Sequence, residues 1–170
     1  SGTTANQFLT LVRAIFCFDT STLGSGASIS AATFSLTGTQ KANDLNATDI
    51  ALHIAGATPA STSTLAASDF GNVATTSYGN VTNAGFSVVA YNDITLNASG
   101  ISNISKTGIS KFSSQLADDI KNLYTGDAGT NAEERFSGNF ADQVGTSADP
   151  KLVVTYTATA TGASFLMNMI

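Results

Sequence analysis

Few residues of this chain could do chemistry, and they lie far apart. His53 is the sole histidine. It sits in residues 49–54, where Ile50, Leu52 and Ile54 share one side of a predicted β-strand and His53 faces the other. A Ser-His-Asp triad needs a serine and an aspartate to meet that ring in space. No nucleophile-elbow sequence accompanies it, so His53 is expected to be a partly exposed strand residue. Asp118-Asp119 and Glu133-Glu134 place carboxylates side by side, but neighbours on a strand point to opposite faces and do not form a two-carboxylate site. Both pairs are expected at the solvated surface. Asp44, Asn46, Thr48 and Asp49 bring oxygen ligands close together, as a hard cation wants. The segment lacks the glycine and the acidic twelfth residue of an EF-hand loop, so a polar turn is expected, with a weak calcium site at Asp44, Asn46 and Asp49 as the alternative. Calcium is the one cofactor considered.

Sugar-binding modules stack their ligand on exposed aromatic rings. The chain has no tryptophan, and most of its phenylalanines fall at strand-core positions, which leaves Tyr78, Tyr91 and Tyr124 as the candidate glycan platform. Each has packing or an interface as its plainer role. Cys17 is the only cysteine, so no internal disulfide forms. Its place in an apolar strand reads as a buried small hydrophobe rather than a reactive thiol.

The elements that would position these groups are strands. Residues 151–157, KLVVTYT, alternate Leu152, Val154 and Tyr156 against Lys151, Val153 and Thr155, and Pro150 marks where pairing starts. Residues 8–19 are apolar on both faces and predict a central strand. A strand over 29–37 follows and ends at Gly38, and residues 40–48 read as polar connection. Residues 58–83 read as long surface connections with one helical turn near 64–69. Strand character returns at 86–91 and 94–96. Residues 109–120 are open between strand and short helix, because Phe112, Leu116 and Ile120 fall at helical spacing. Residues 135–140 complete the set. Short strands, turns between them and no helix alternation predict an all-β, antiparallel β-sandwich of jelly-roll type.

At 170 residues and 42% hydrophobic, the chain suits one domain with its own core. Only 11% of residues are charged, against 20 serines and 24 threonines, so the exterior must be mostly hydroxyl, amide and glycine. Such a coat is expected outside cells, on a cell surface or on a virion. A net charge of -5 with scattered basic residues argues against a nucleic-acid partner. No apolar run reaches the length of a membrane-spanning helix. The start at Ser1, without Met, suggests a processed product or a piece of a longer chain.

A family resemblance enters at Arg13-Ala-Ile-Phe-Cys-Phe-Asp19-Thr-Ser followed by Gly26-Ala-Ser-Ile29-Ser-Ala-Ala-Thr-Phe-Ser-Leu36. This resembles the signature of DNRLRE-type domains, jelly-roll modules of secreted and surface proteins. The similarity resumes at residues 101–112 and 145–156. The resemblance implies a galactose-binding-like, non-catalytic module, and it brings no ligand residues with it. Family members carry further strands before the arginine, so either this piece is truncated or another segment completes its sandwich.

Residues 159–170 are read as a C-terminal apolar arm behind a single sandwich of residues 1–158. Phe165, Leu166, Met167, Met169 and Ile170 make a short apolar peptide, too short to span a bilayer. It is expected either to fold back on its own sandwich or to dock on a neighbouring subunit. The expectation for function is a non-catalytic structural or assembly protein, a capsid-decoration, fibre or surface-layer subunit forming homo-oligomers or joining other structural subunits through that arm. The alternative is a carbohydrate-binding module recognising surface glycans.

Overall fold

A computed structural model describes residues 10–44, 50–122, 133–142 and 144–158. Among the described residues, eight strands form two antiparallel sheets. They are β1 (Ala14–Asp19), β2 (Ser28–Asn43), β3 (Ala51–Gly56), β4 (Gly79–Thr82), β5 (Tyr91–Thr95), β6 (Ile109–Leu116), β7 (Glu134–Gly138) and β8 (Lys151–Thr157). Two helical turns, α1 (Ala98–Ser102) and α2 (Ala117–Ile120), follow β5 and β6. One sheet has the order β1-β6-β3-β4; in the other, β2 pairs with β5, β7 and β8. The alternating strand pattern thus produces the expected all-β sandwich.

The sheets face each other through apolar side chains that alternate along each strand. Phe16 of β1, Phe34 of β2 and Phe112 of β6 meet edge to face, with centroids 5.1 Å apart for Phe16 and Phe34 and 6.0 Å apart for Phe34 and Phe112. Edge-to-face pairing sets the positive ring edge against the negative face of its neighbour. Ala32, Leu36, Leu52, Ile54 and Ile94 complete the buried cluster.

Several sequence expectations are corrected. β1 is an edge strand, not a central one: among the described residues it pairs with β6 alone. Its second face is apolar yet only partly buried, and Cys17 there is likewise half-covered rather than enclosed. Gly38 does not end β2. The strand runs to Asn43 with a register shift between Gly38 and Gln40. A Cβ at Gly38 would come within 2.1 Å of the Ser87 carbonyl. Glycine here marks a bulge and a close backbone approach, not a stop.

Residues 86–90 form no strand, because the Phe86 amide bonds back to Thr82 and Asn83 in a turn. The Asn92 side chain then binds Ser87, Ala90 and Leu36. β4 was hidden by its polar composition. The ambiguous 109–120 segment resolves into β6 followed by α2.

All six residues of β3 are buried. Its inner side faces the core, and its outer side is covered by the connection between β3 and β4. That connection is tied down by Thr58 to Asn72, Ala74 to Gly56 and Tyr78 to Ile54 backbone bonds. It lies at the surface, as expected, yet it also covers β3, and Asp69 organises it. The Asp69 carboxylate is 1% exposed and accepts from the amides of Ala60 and Ala66 and from the Asn72 side chain.

This cover corrects the reading of His53, which is 8% exposed rather than partly exposed. Asp118 and Asp119 are also buried, at 8% and 7%. They stand in a helical turn rather than on a strand, so neither is simply surface.

Candidate functional site

A cleft of about 550 Å³, more apolar than polar in its lining, lies where the two sheets part between β1 and β7. Both are edge strands there: among the described residues β1 pairs with β6 alone and β7 with β2 alone. Phe16, Leu36, Leu52 and Phe136 line its interior. Val12, 74% exposed, and Phe140, 47% exposed, stand at its mouth. Phe140 stacks on Phe16 at 5.4 Å and nearly parallel. This leaves two large apolar side chains partly in water beside an apolar hollow.

The sequence builds this cleft locally. At the bulge β2 faces Gly138 of β7 across Gly38. A Cβ on Gly138 would lie 2.7 Å from Leu36 Cδ1 and 2.8 Å from the Thr37 carbonyl, so only glycine lets β7 lie this close to β2. On the opposite wall, Arg13 just before β1 grips Asp119 of α2 through Nε at 2.8 Å and one terminal nitrogen at 2.6 Å. The guanidinium also donates to the Phe70 carbonyl at 2.6 Å and lies 4.3 Å from the centre of the Phe70 ring. One side chain thereby ties β1, α2 and the β3–β4 cover together.

The rim is polar. Arg135 pairs with Glu133 at 3.1 Å. Burial and the charge of Asp118 push the Glu134 carboxyl above its ordinary value, and its Oε1 has no partner among the described residues. The described lining contains no histidine, cysteine or lysine. Its hydroxyls are Thr10, Ser114 and Ser137, and its carboxylates are Glu133 and Glu134.

The other candidates are dispersed. His53 Nδ1 meets the Ser77 hydroxyl at 2.8 Å on the covered face of β3, and neither residue lines a described cavity. Asp44 is exposed at the end of β2 and donates its amide to Glu133. Asn46 and Asp49 lie outside the described residues, as do Tyr124, Phe165, Leu166, Met167, Met169 and Ile170. No three metal-ligating side chains gather among the described residues.

Tyr91 is engaged on its ring and its hydroxyl. Lys151 Nζ lies 3.8 Å from the ring centre, and the hydroxyl donates to the Ser147 and Asp149 carbonyls. Tyr78 packs edge to face on Phe112 and lines a hollow of about 320 Å³ with Asn72 and Asn103. The Tyr78 backbone accepts from Asn97, six residues after Tyr91 and past the end of β5, so the two backbone positions lie roughly 20 Å apart. They do not form one platform.

Sequence reasoning missed the cleft. Its signal was Gly38 and Gly138, two strand glycines that end up facing each other. Comparison with family models, with curated proteins and with solved structures finds no match for this chain. Among the described residues, no helix is long and apolar enough to cross a membrane.

Proposed function

We propose that this chain is a non-catalytic structural subunit of an extracellular or virion-surface assembly, with a sandwich of the jelly-roll type. The observation that carries the reading is the apolar cleft flanked by two edge strands, with Val12 and Phe140 exposed at its mouth. Unpaired strand edges beside an apolar groove are the usual receptors for another chain. A charge-poor exterior fits the same reading, since few like charges oppose contact between copies. The resemblance to DNRLRE-type surface modules points the same way. The test is the mass of the intact chain by light scattering over a range of concentrations. Species well above 17.3 kDa are expected; a monomer throughout overturns the proposal.

A second reading, a carbohydrate-binding module, draws on the hollow beside Tyr78, where a half-buried ring stands next to the Asn72 and Asn103 side chains. A glycan array read for the wild type and for Tyr78→Ala tests it. No binding, or binding unchanged by the substitution, removes it.

A further inference from the structure

We propose that Asn80 is an N-glycosylation acceptor, and that the fold withholds the sequons at Asn97 and Asn103. The proposal rests on the extracellular setting proposed above and names a modification that such a setting permits.

Asn-x-Ser/Thr sequons occur at Asn46, Asn80, Asn97 and Asn103. Composition gives no ground for choosing among them. Asn46 lies outside the described residues, and the fold separates the other three. Asn97 caps α1: its Oδ1 accepts from the Gly100 amide at 3.1 Å, and its Nδ2 donates to the Ser77 carbonyl at 3.0 Å. Asn103 ends the same helix and is half-buried. Its Nδ2 donates to the Lys111 carbonyl of β6 at 2.9 Å, and its Oδ1 accepts from the Tyr78 hydroxyl at 3.4 Å. Both amide nitrogens are therefore committed to backbone carbonyls. Freeing either one leaves a carbonyl short of a partner and, at Asn97, uncaps α1.

Asn80 differs on each count. It lies in β4, an end strand that pairs with β3 alone among the described residues. Its side chain is exposed and makes no hydrogen bond among the described residues. The extended backbone puts Thr82, also exposed, on the same face two residues on, so the sequon's amide and hydroxyl are presented together.

In the modification the Asn80 amide nitrogen attacks the anomeric carbon of a diphosphate-activated sugar. A carbon–nitrogen bond forms, the bond from that carbon to the diphosphate oxygen breaks with its electron pair leaving on the diphosphate, and the nitrogen gives up one proton to a base of the transferase. The attached glycan is bulky and hydrophilic, and at the end of a sheet it opposes edge-to-edge pairing through β4. Contacts between copies then fall on other faces.

The test uses the full folded chain made without modification, a soluble sequon-specific N-glycosyltransferase and a nucleotide-activated hexose. Short peptides carrying each sequon are treated alongside as the unfolded reference, and peptide mass mapping reads the occupancy of each asparagine. Folded Asn80 is expected to gain a hexose about as fast as its peptide, whereas Asn97 and Asn103 gain one only as peptides. Asn80→Gln, with circular dichroism to show that it is folded, is expected to abolish the gain at this position. A second measurement maps the chain secreted from a eukaryotic host behind a leader, with Asn80 again the occupied site of the three. Asn80 left bare in the folded chain overturns the proposal, and so does folded Asn97 or Asn103 modified as fast as its peptide. The light-scattering mass decides the assembly reading separately. A monomer with Asn80 modified upholds this proposal and overturns that reading; an assembly with Asn80 bare does the reverse.

Discussion

Arg13 and Asp119 are separated by 106 positions and meet through two short hydrogen bonds. The Asp119 side chain is 3% exposed and the Arg13 side chain 18%, so the pair lies between a surface ion pair and a buried one. Arg13→Ala strands a buried carboxylate and is expected to cost about 2–3 kcal/mol, between the value for exposed pairs and that for broken buried pairs. Arg13→Lys keeps the charge but loses the two-pronged geometry and should recover only part of that stability. Urea denaturation of both variants checks this.

Two carboxylates set opposite pH dependences. The amides of Ala66 and Ala60 hold the Asp69 carboxyl below its ordinary 3.8. Its ionised form is favoured by folding, so its contribution is present above 3.8 and is lost as pH falls through the lower folded value. Asp69→Asn should lower stability at pH 6 and flatten the acid limb of the urea midpoint against pH. Glu134 behaves the other way. Burial, then repulsion from Asp118, raises its carboxyl above the ordinary 4.5. Stability is then lost as pH rises through the folded value. Glu134→Gln should raise the thermal midpoint at pH 7, with the gain closing as pH drops below 4.5; an unchanged midpoint at pH 7 would refute this.

At the scale of elements, β2 is the strand that organises one sheet. Its sixteen residues pair with β8 over the first half, with β5 in the middle and with β7 beyond the bulge. The exchange of partners happens where Gly38 faces Gly138. Adding a single methyl group by Gly138→Ala forces β7 off Leu36 and the Thr37 carbonyl. It is expected to cost roughly 2 kcal/mol or more by overpacking, and to widen the cleft. Calorimetry reads the first effect, and binding of an environment-sensitive apolar dye reads the second. The turn of β6 into α2 has the same character. Helical spacing and strand alternation were both present in residues 109–120 because the chain uses one and then the other.

Among the described residues, one core joins the sheets, and a cleft opens where they part. Phe34 is fully buried and touches Phe16, Phe18 and Phe112 edge to face. Phe34→Ala is expected to lose about 3–5 kcal/mol, measurable by chemical denaturation. A loss under 1 kcal/mol would show that the sheets do not depend on this cluster. The cleft lies at the other end of the balance. Apolar surface left open there adds nothing to the stability that burial of the same side chains would give.

Periodicity alone determined that this is an all-β chain. Residues 151–157 form β8 as their alternation required, and Leu52 and Ile54 lie on the inner side of β3 because period-two spacing is a property of the backbone itself. The tertiary structure decided what those patterns left open. Whether a strand lies at an edge depends on which strand comes beside it, which is why β1 looked central. Whether a polar residue is buried depends on what folds over it, which is why His53, Asp118 and Asp119 looked exposed. The cleft exists only because strands more than a hundred residues apart border one gap between two sheets, and no local spacing encodes a gap.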